Sequence, residues 1–153
     1  MKHLLKICLI LFALKVGAQD TTFTVNQTFS DSLLNITCQN IGSGYQYGAS
    51  GMQYFDCSGL VNFHFNKKGF PRSSREIAKL GEYVEADSLQ IGDLIFFKGR
   101  SGNQIGHVAI VSHISGRDIY ILHATTQKGV LEEILQQNEY FLSRWVFNKR
   151  LNF

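Results

Sequence analysis

Three cysteines and five histidines carry most of the nucleophilic and proton-transfer capacity of this chain. Cys57 stands apart by its neighbours. Asp56-Cys57-Ser58-Gly59 follows an approach rich in aromatic residues and glycine (Tyr45, Tyr47, Gly48, Gly51, Phe55) and leads into Leu60, Val61, His64 and Phe65 at helical spacing. A cysteine that opens a helix meets the positive end of the helix dipole and N–H groups without carbonyl partners, and both favour thiolate over thiol. Cys57 is therefore a candidate nucleophile. Such a nucleophile needs a base, and the base needs a partner that orients it.

His3 lies in an N-terminal leader considered below, which leaves His64, His107, His113 and His123. His64 is on the cysteine's helix but ~10 Å along it at ~1.5 Å per residue, too far for direct proton transfer. It reads as a partly buried helix histidine. His107 and His113 share one face of a strand roughly 20 Å apart at ~3.3 Å per residue, so one site cannot use both. His107 follows Gly106 at a strand edge where a side chain can face a cleft, whereas His113 sits beside a hairpin turn and reads as a surface residue. His123 lies on the returning strand and joins His107 only in some registers. A two-residue Gly116-Arg117 turn gives odd sums of paired residue numbers and turns the two rings to opposite faces. Even sums such as 230 or 232 require an odd-numbered loop or a bulge. No metal site or cofactor is expected, because the thiol and scattered histidines lack Cys-x-x-Cys or His-x-x-x-His spacing.

The elements that must position these residues follow from local signals. Ser30-Asp31-Ser32 offers N-cap chemistry for a helix through Leu33, Leu34 and Ile41, with Gly42 as its stop. Ser43 to Tyr54 reads as a loop that approaches another part of the chain closely through Gly48 and Gly51. Asp56 fits the N-cap of a helix running to about Lys67, closed by Gly69. Pro71 and the capping box Ser73-x-x-Glu76 start a short helix that ends near Gly81. From Leu89 the period changes. Leu94 to Phe97 reads as a buried strand, and Lys98 to Gln104 as a polar loop. His107–Ile114 and Ile119–Thr125 form a hairpin around Ser115-Gly116-Arg117-Asp118. Gly129-Val130 opens a further candidate strand, Leu131 to Gln137 fits either periodicity, and Arg144 to Phe147 is the last strand. Helices first and strands after point to an α+β domain with helices packed on an antiparallel sheet.

Residues 1–18 read as a secretory signal: a basic start (Lys2, Lys6), an apolar core from Ile7 to Leu14, and small residues at Val16-Gly17-Ala18. The apolar run, interrupted by Lys15, is too short for a membrane span. Cys8 would suit a lipoprotein signal only if a small residue stood at Ile7. Cleavage before Gln19 leaves 135 of the 153 residues, enough for one domain with its own core, with 12 basic against 12 acidic side chains. That balance gives no argument for a nucleic-acid partner. Residues 19–29 read as a short lead-in and 30–153 as the domain. The exported chain keeps Cys38 and Cys57, which first suggests a disulfide; a bridge would consume the nucleophile. Cys38 falls in a helical pattern and reads as a small buried hydrophobe.

Six blocks in order resemble the NlpC family of cell-wall cysteine peptidases. They are Gly44-Tyr45-Gln46-Tyr47-Gly48, Asp56-Cys57-Ser58-Gly59-Leu60-Val61, Pro71-Arg72-Ser73-Ser74, Gly92-Asp93-Leu94-Ile95-Phe96-Phe97, Gly106-His107-Val108-Ala109-Ile110-Val111 and His123-Ala124. Each is short and unspecific alone; the ordered set, from about Ser30 to the C-terminus, carries the resemblance. It implies a papain-like fold with the cysteine helix packed on an antiparallel, partly barrel-like sheet. It implies Cys57 as nucleophile, His107 as general base and His123 as the residue that orients it. It also implies that Tyr45 lines the site near the oxyanion, and that Asp56 and Ser58 lie near the substrate's amino end. The implied substrate is a peptidoglycan stem peptide, typically cut between D-glutamate and a diamino acid, which agrees with an exported, periplasmic or secreted protein. Ala49 after Gly48, and Ile91 before Gly92-Asp93, depart from the family pattern and bear on substrate preference. An amidase or acyltransferase using the same Cys-His pair is one alternative. A non-catalytic binding module with a structural Cys57 is another.

Overall fold

Asp56 starts the helix that carries the cysteine. Its Oδ1 accepts the Gly59 N–H at 2.6 Å, one of the donors that the first turn leaves without a carbonyl. In the computed structural model, which describes residues 39–65, 68–100 and 102–152, this helix α1 runs Cys57–Phe65. The expected export signal and lead-in, most of the expected first helix, and Cys38 lie outside the described residues. Leu60 and Val61 bury completely, each contributing about 1.5–3 kcal/mol relative to exposure. Helix α2 (Ser74–Ile77) is capped as its sequence predicts: Ser73 Oγ accepts from the Glu76 N–H at 3.3 Å.

Six strands form one antiparallel sheet: β4 (Glu82–Val84), β5 (Leu94–Lys98), β6 (Ile105–Ser115), β7 (Asp118–Thr125), β8 (Gly129–Ile134) and β9 (Trp145–Arg150). Their order is β4-β9-β5-β6-β7-β8, so the sheet keeps two edges and is not a closed barrel. The fold is α+β. The segment expected as a loop, Ser43 to Tyr54, instead contributes to a second, three-stranded sheet of β1 (Gly44–Tyr45), β2 (Ser50–Gly51) and β3 (Tyr54–Phe55). Strands of two residues are too short to show alternation, which is why no strand period is legible there. β4, three residues long, is also short and largely exposed, and helix α3 (Glu139–Leu142) has no apolar period long enough to announce it.

Strand β6 serves two cores because its side chains alternate. Val108 and Ile110 pack with Leu94, Phe96, Val61 and Ile77. Ala109 and Val111 face the other way, against Ile95, Phe97, Ile121 and Leu135. Asp93, 2% exposed, takes both Arg150 Nε and a terminal nitrogen at 2.8 and 2.7 Å, and its Oδ2 also accepts from the Gln90 N–H. The Gly92-Asp93 pair thereby fastens the start of β5 to the end of β9.

Candidate active site

The β6–β7 hairpin closes through the two-residue turn Gly116-Arg117, with Ser115 opposite Asp118 and Gly116 at φ +61°. Near the turn the paired numbers sum to an odd value (His113↔Tyr120), the register that would set His107 and His123 on opposite faces. Ser112 is then left out of the ladder. Beyond it the pairs become Val111↔Ile121 and Ile110↔Leu122, an even register. This one-residue bulge meets the condition that the sequence imposes on the two histidines. His107 Nε2 lies 3.0 Å from His123 Nδ1. A second irregularity falls beside His107, where Phe97 pairs with His107 but Lys98 with Ile105. Gly106 is the unpaired residue, and a Cβ there would meet the Gly99 Cα at 2.5 Å. Only glycine permits this approach.

Rings hold both imidazoles. Phe141 of α3 packs on His107 and His123 with centroids 4.9 and 4.7 Å apart, and Phe97 approaches His107 from β5 at 5.7 Å. His123 is fully buried. Its Nε2 stands 3.0 Å from Glu133 Oε1, an oblique contact rather than a linear hydrogen bond, with no other acceptor in reach. Asn138 Nδ2 donates to the same carboxylate oxygen at 2.7 Å. Glu133, Asn138 and Phe141 were not legible as site residues. The one local hint was a β8 alternation that places Leu131, opposite His123, and Glu133 on one face.

Cys57 is a free thiol and lines a cavity of about 530 Å³ together with Tyr45, His107, Glu133 and Phe141. It reaches the cavity from the α1 side of β6, while His107 comes from the opposite face at the Gly99–Gly106 edge. Burial pushes the Cys57 thiol up, and the Asp56 charge adds to it; the N–H groups of Val108, Ser58 and Cys57 itself oppose this by facing the sulfur. His107 moves the other way. Burial and then the neighbouring His123 hold its pKa well below the ordinary histidine value. Both shifts favour the uncharged form, a thiol at Cys57 and a neutral imidazole at His107. The helix terminus alone predicts a thiolate; desolvation of the charged form outweighs it here.

Tyr45 lines the cavity, and its hydroxyl pKa is raised, chiefly by burial. Asp56 and Ser58 do not line it. They are buried at 5% and 6% exposure and engaged with Arg72, a residue that the sequence placed in a motif but gave no role. Arg72 grips Asp56 with two nitrogens at 2.9 and 2.8 Å and also donates to Ser58 Oγ and the Ala49 carbonyl. Gly48 N–H adds a further bond to Asp56 at 2.7 Å. First the Arg72 bonds and then the Gly59 and Gly48 N–H groups outweigh burial and hold the Asp56 carboxyl below its usual range. Gly59 lets the Ala49 carbonyl pass where any Cβ would collide with it. His64 is buried in α1 and His113 is exposed beside Tyr120, away from the cavity as expected. Among the described residues, no group of three or more His, Cys, Asp or Glu side chains could hold a metal ion.

The sequence and fold have known counterparts. Residues 42–150 match the model of the NlpC/P60 family. The chain belongs to the NlpC/P60 family. It is 31% identical over 129 residues to the probable endopeptidase NlpC of Escherichia coli K12, covering 78% of this chain and 81% of that protein. It is 32% identical over 115 residues to the gamma-DL-glutamyl hydrolase of Bacillus subtilis 168, covering 71% of this chain but only 27% of that one. Among solved structures, an NlpC/P60 family protein from Bacillus cereus superimposes with a TM-score of 0.67 at 26% identity, over 79% of this chain and 39% of the other. In this NlpC/P60 domain, Asp56-Cys57-Ser58-Gly59 and Gly106-His107-Val108 are the two blocks that meet at the cavity.

Proposed function

We propose that this protein is an exported cysteine endopeptidase that hydrolyses peptidoglycan stem peptides between D-glutamate and a diamino acid. The observation that carries the reading is the 3.0 Å contact between His107 and His123 in a cavity that also holds the free Cys57 thiol. With His107 Nε2 engaged by His123, Nδ1 is the nitrogen left for the cysteine. In the proposed mechanism His107 takes the thiol proton as sulfur attacks the peptide carbonyl, acting as general base rather than as half of a preformed ion pair. The N–H groups around the sulfur and the Tyr45 hydroxyl are the donors available to the developing oxyanion. His107 then gives its proton to the leaving amine, and water releases the acyl group from Cys57.

The substrate class draws on the cavity's charge. Lys98, Arg100 and Lys128 line it against a single acid, Glu133, which suits a peptide bearing free carboxylates. The D-glutamyl bond draws on the glutamyl hydrolase relative, and export on the signal-like residues 1–18. Asp56 and Ser58 act in this reading by fastening the cysteine's helix to the glycine-rich loop through Arg72. A substrate ammonium would have to displace the guanidinium to reach Asp56.

Digestion of purified peptidoglycan by wild type and Cys57→Ala, with the products weighed by mass spectrometry, tests the proposal. The expected result is fragments cut after D-glutamate with wild type and none with Cys57→Ala. Release of whole stem peptides from the glycan would make the protein an amidase, and equal digestion by both would remove Cys57 as nucleophile.

A further inference from the structure

Glu133 touches neither the thiol nor the base, yet it ends the chain of contacts that begins at His107. We propose that Glu133 is a positioning residue that fixes the tautomer of His107 through His123, leaving His107 Nδ1 bare to receive the thiol proton. The inference rests on reading Cys57 and His107 as nucleophile and base.

The count of protons along the relay fixes the tautomers. A carboxylate only accepts, and Asn138 Nδ2 already donates to the Glu133 oxygen that lies 3.0 Å from His123 Nε2. His123 Nε2 must therefore carry a hydrogen. When His123 is uncharged that is its one hydrogen, so Nδ1 is a lone pair, and the 3.0 Å contact to His107 requires His107 Nε2 to donate. His107 in turn has spent its one hydrogen, and its Nδ1 is free to accept. Without Glu133 the His107–His123 bond can run the other way equally well. His123 Nδ1 would donate, His107 would hold its hydrogen on Nδ1, and the base would be blocked.

Register and electrostatics agree with this assignment. His123 pairs with Leu131 across β7 and β8, which sets Glu133 two residues along on the same face. The contact with His123 outweighs partial burial and holds the Glu133 carboxyl below its usual range, with Asn138 and Lys128 adding to it, so the group stays an ionised acceptor. The other titratable groups around the relay are Cys57 of α1, Lys98 of β5, Arg100 after it, Lys128 on the β7–β8 turn, and Tyr45 and Tyr140 on the cavity wall. None of them offers His123 Nε2 a competing acceptor. During attack the thiol proton moves to His107 Nδ1 and the sulfur bonds to carbon. The resulting imidazolium keeps its Nε2 hydrogen directed at His123, whose own hydrogen stays on Nε2 beside Glu133.

Imidazole 15N NMR of the resting wild-type protein near neutral pH reads the tautomers without any turnover. The expected spectrum has His107 and His123 both protonated on Nε2 and bare on Nδ1; a hydrogen on His107 Nδ1 overturns the inference. Glu133→Ala is expected to populate the Nδ1-protonated form of His107 and to lower kcat by about tenfold or more with KM within about twofold. Glu133→Gln keeps an oxygen acceptor and is expected to recover most of that loss. Wild-type tautomers in Glu133→Ala, or equal losses in both variants, would refute the positioning role. Should Glu133→Ala fail to fold, the wild-type spectrum and Glu133→Gln decide alone. Failure of the peptidase reading would look different: Cys57→Ala would remain active whatever the tautomers are.

Discussion

In the proposed mechanism His107 is a base whose acid limb is displaced. Its pKa is held well below 6.5 by burial and by the adjacent ring of His123. A group so depressed is neutral, and able to accept a proton, at every pH above its own value. The acid limb of kcat/KM is therefore expected well below the ordinary histidine pKa of about 6.5. A pH profile on a muropeptide substrate checks this, and a limb centred at or above pH 6.5 would contradict it. Arg72 poses a second residue-scale test. It holds a carboxylate whose side chain is 7% exposed, while its own is 38% exposed, so solvent screens part of the pair. Arg72→Ala leaves the Asp56 charge buried with only N–H groups and a hydroxyl, and is expected to cost about 2 kcal/mol of stability. Denaturant melts of Arg72→Ala and Arg72→Ala/Asp56→Asn measure it; the double variant should recover part of the loss. A loss below about 0.5 kcal/mol, the level of an ordinary exposed ion pair, would show that the clamp carries little.

Among the elements, the β6–β7 hairpin decides whether the relay exists. Its two-residue turn sets one parity and the bulge at Ser112 restores the other. Removing Ser112 makes His113↔Tyr120 and Val111↔Ile121 consecutive pairs of a regular ladder, so both histidines stay on one face. This deletion is expected to fold and to keep kcat/KM within about tenfold of wild type. Inserting one residue between Ile110 and Val111 needs a further bulge or turns His107 to the opposite face, and activity is expected to fall about a thousandfold or more. Muropeptide hydrolysis by the two variants separates these outcomes. If both are equally impaired, the parity argument fails. The Ser112 hydroxyl is buried with no hydrogen-bond partner, so Ser112→Ala should be neutral or stabilising by up to about 1 kcal/mol in a thermal melt.

At the scale of the molecule, pH acts on stability through a histidine outside the site. His64 is 9% exposed in α1, and burial lowers its pKa to about 4. The unfolded chain binds that proton near pH 6.5 and the folded chain only near 4, so acid favours unfolding. Its contribution is complete above pH 6.5, falls by about 2 kcal/mol between pH 6.5 and 5, and is lost near pH 4. Urea melts at those pH values for wild type and His64→Leu should show a steeper acid loss for wild type; parallel curves would exclude His64 as the cause. In the proposed reading the cavity's cations act on substrate capture. Arg100→Glu with Lys128→Glu is expected to raise KM several-fold with less change in kcat, an effect that salt should shrink.

By itself the sequence determined what lies within a turn or two of chain. Asp56 as cap, Cys57 at the helix start, the Ser73–Glu76 cap, the Gly116-Arg117 turn and the buried run Leu94–Phe97 are set by neighbours, and each is found where its residues indicate. The sequence also stated the condition on His107 and His123 without deciding it, because parity depends on a bulge, and a bulge answers to packing on both sides of a strand. Tertiary structure decided the rest. Arg72 reaches Asp56 across 16 residues, Phe141 covers rings from two other strands, and Glu133 meets His123 only through the β7–β8 register. The upward shift of the Cys57 thiol arises there too. A helix end favours thiolate wherever it occurs, but the cost of charging a buried sulfur depends on what the whole chain folds over it.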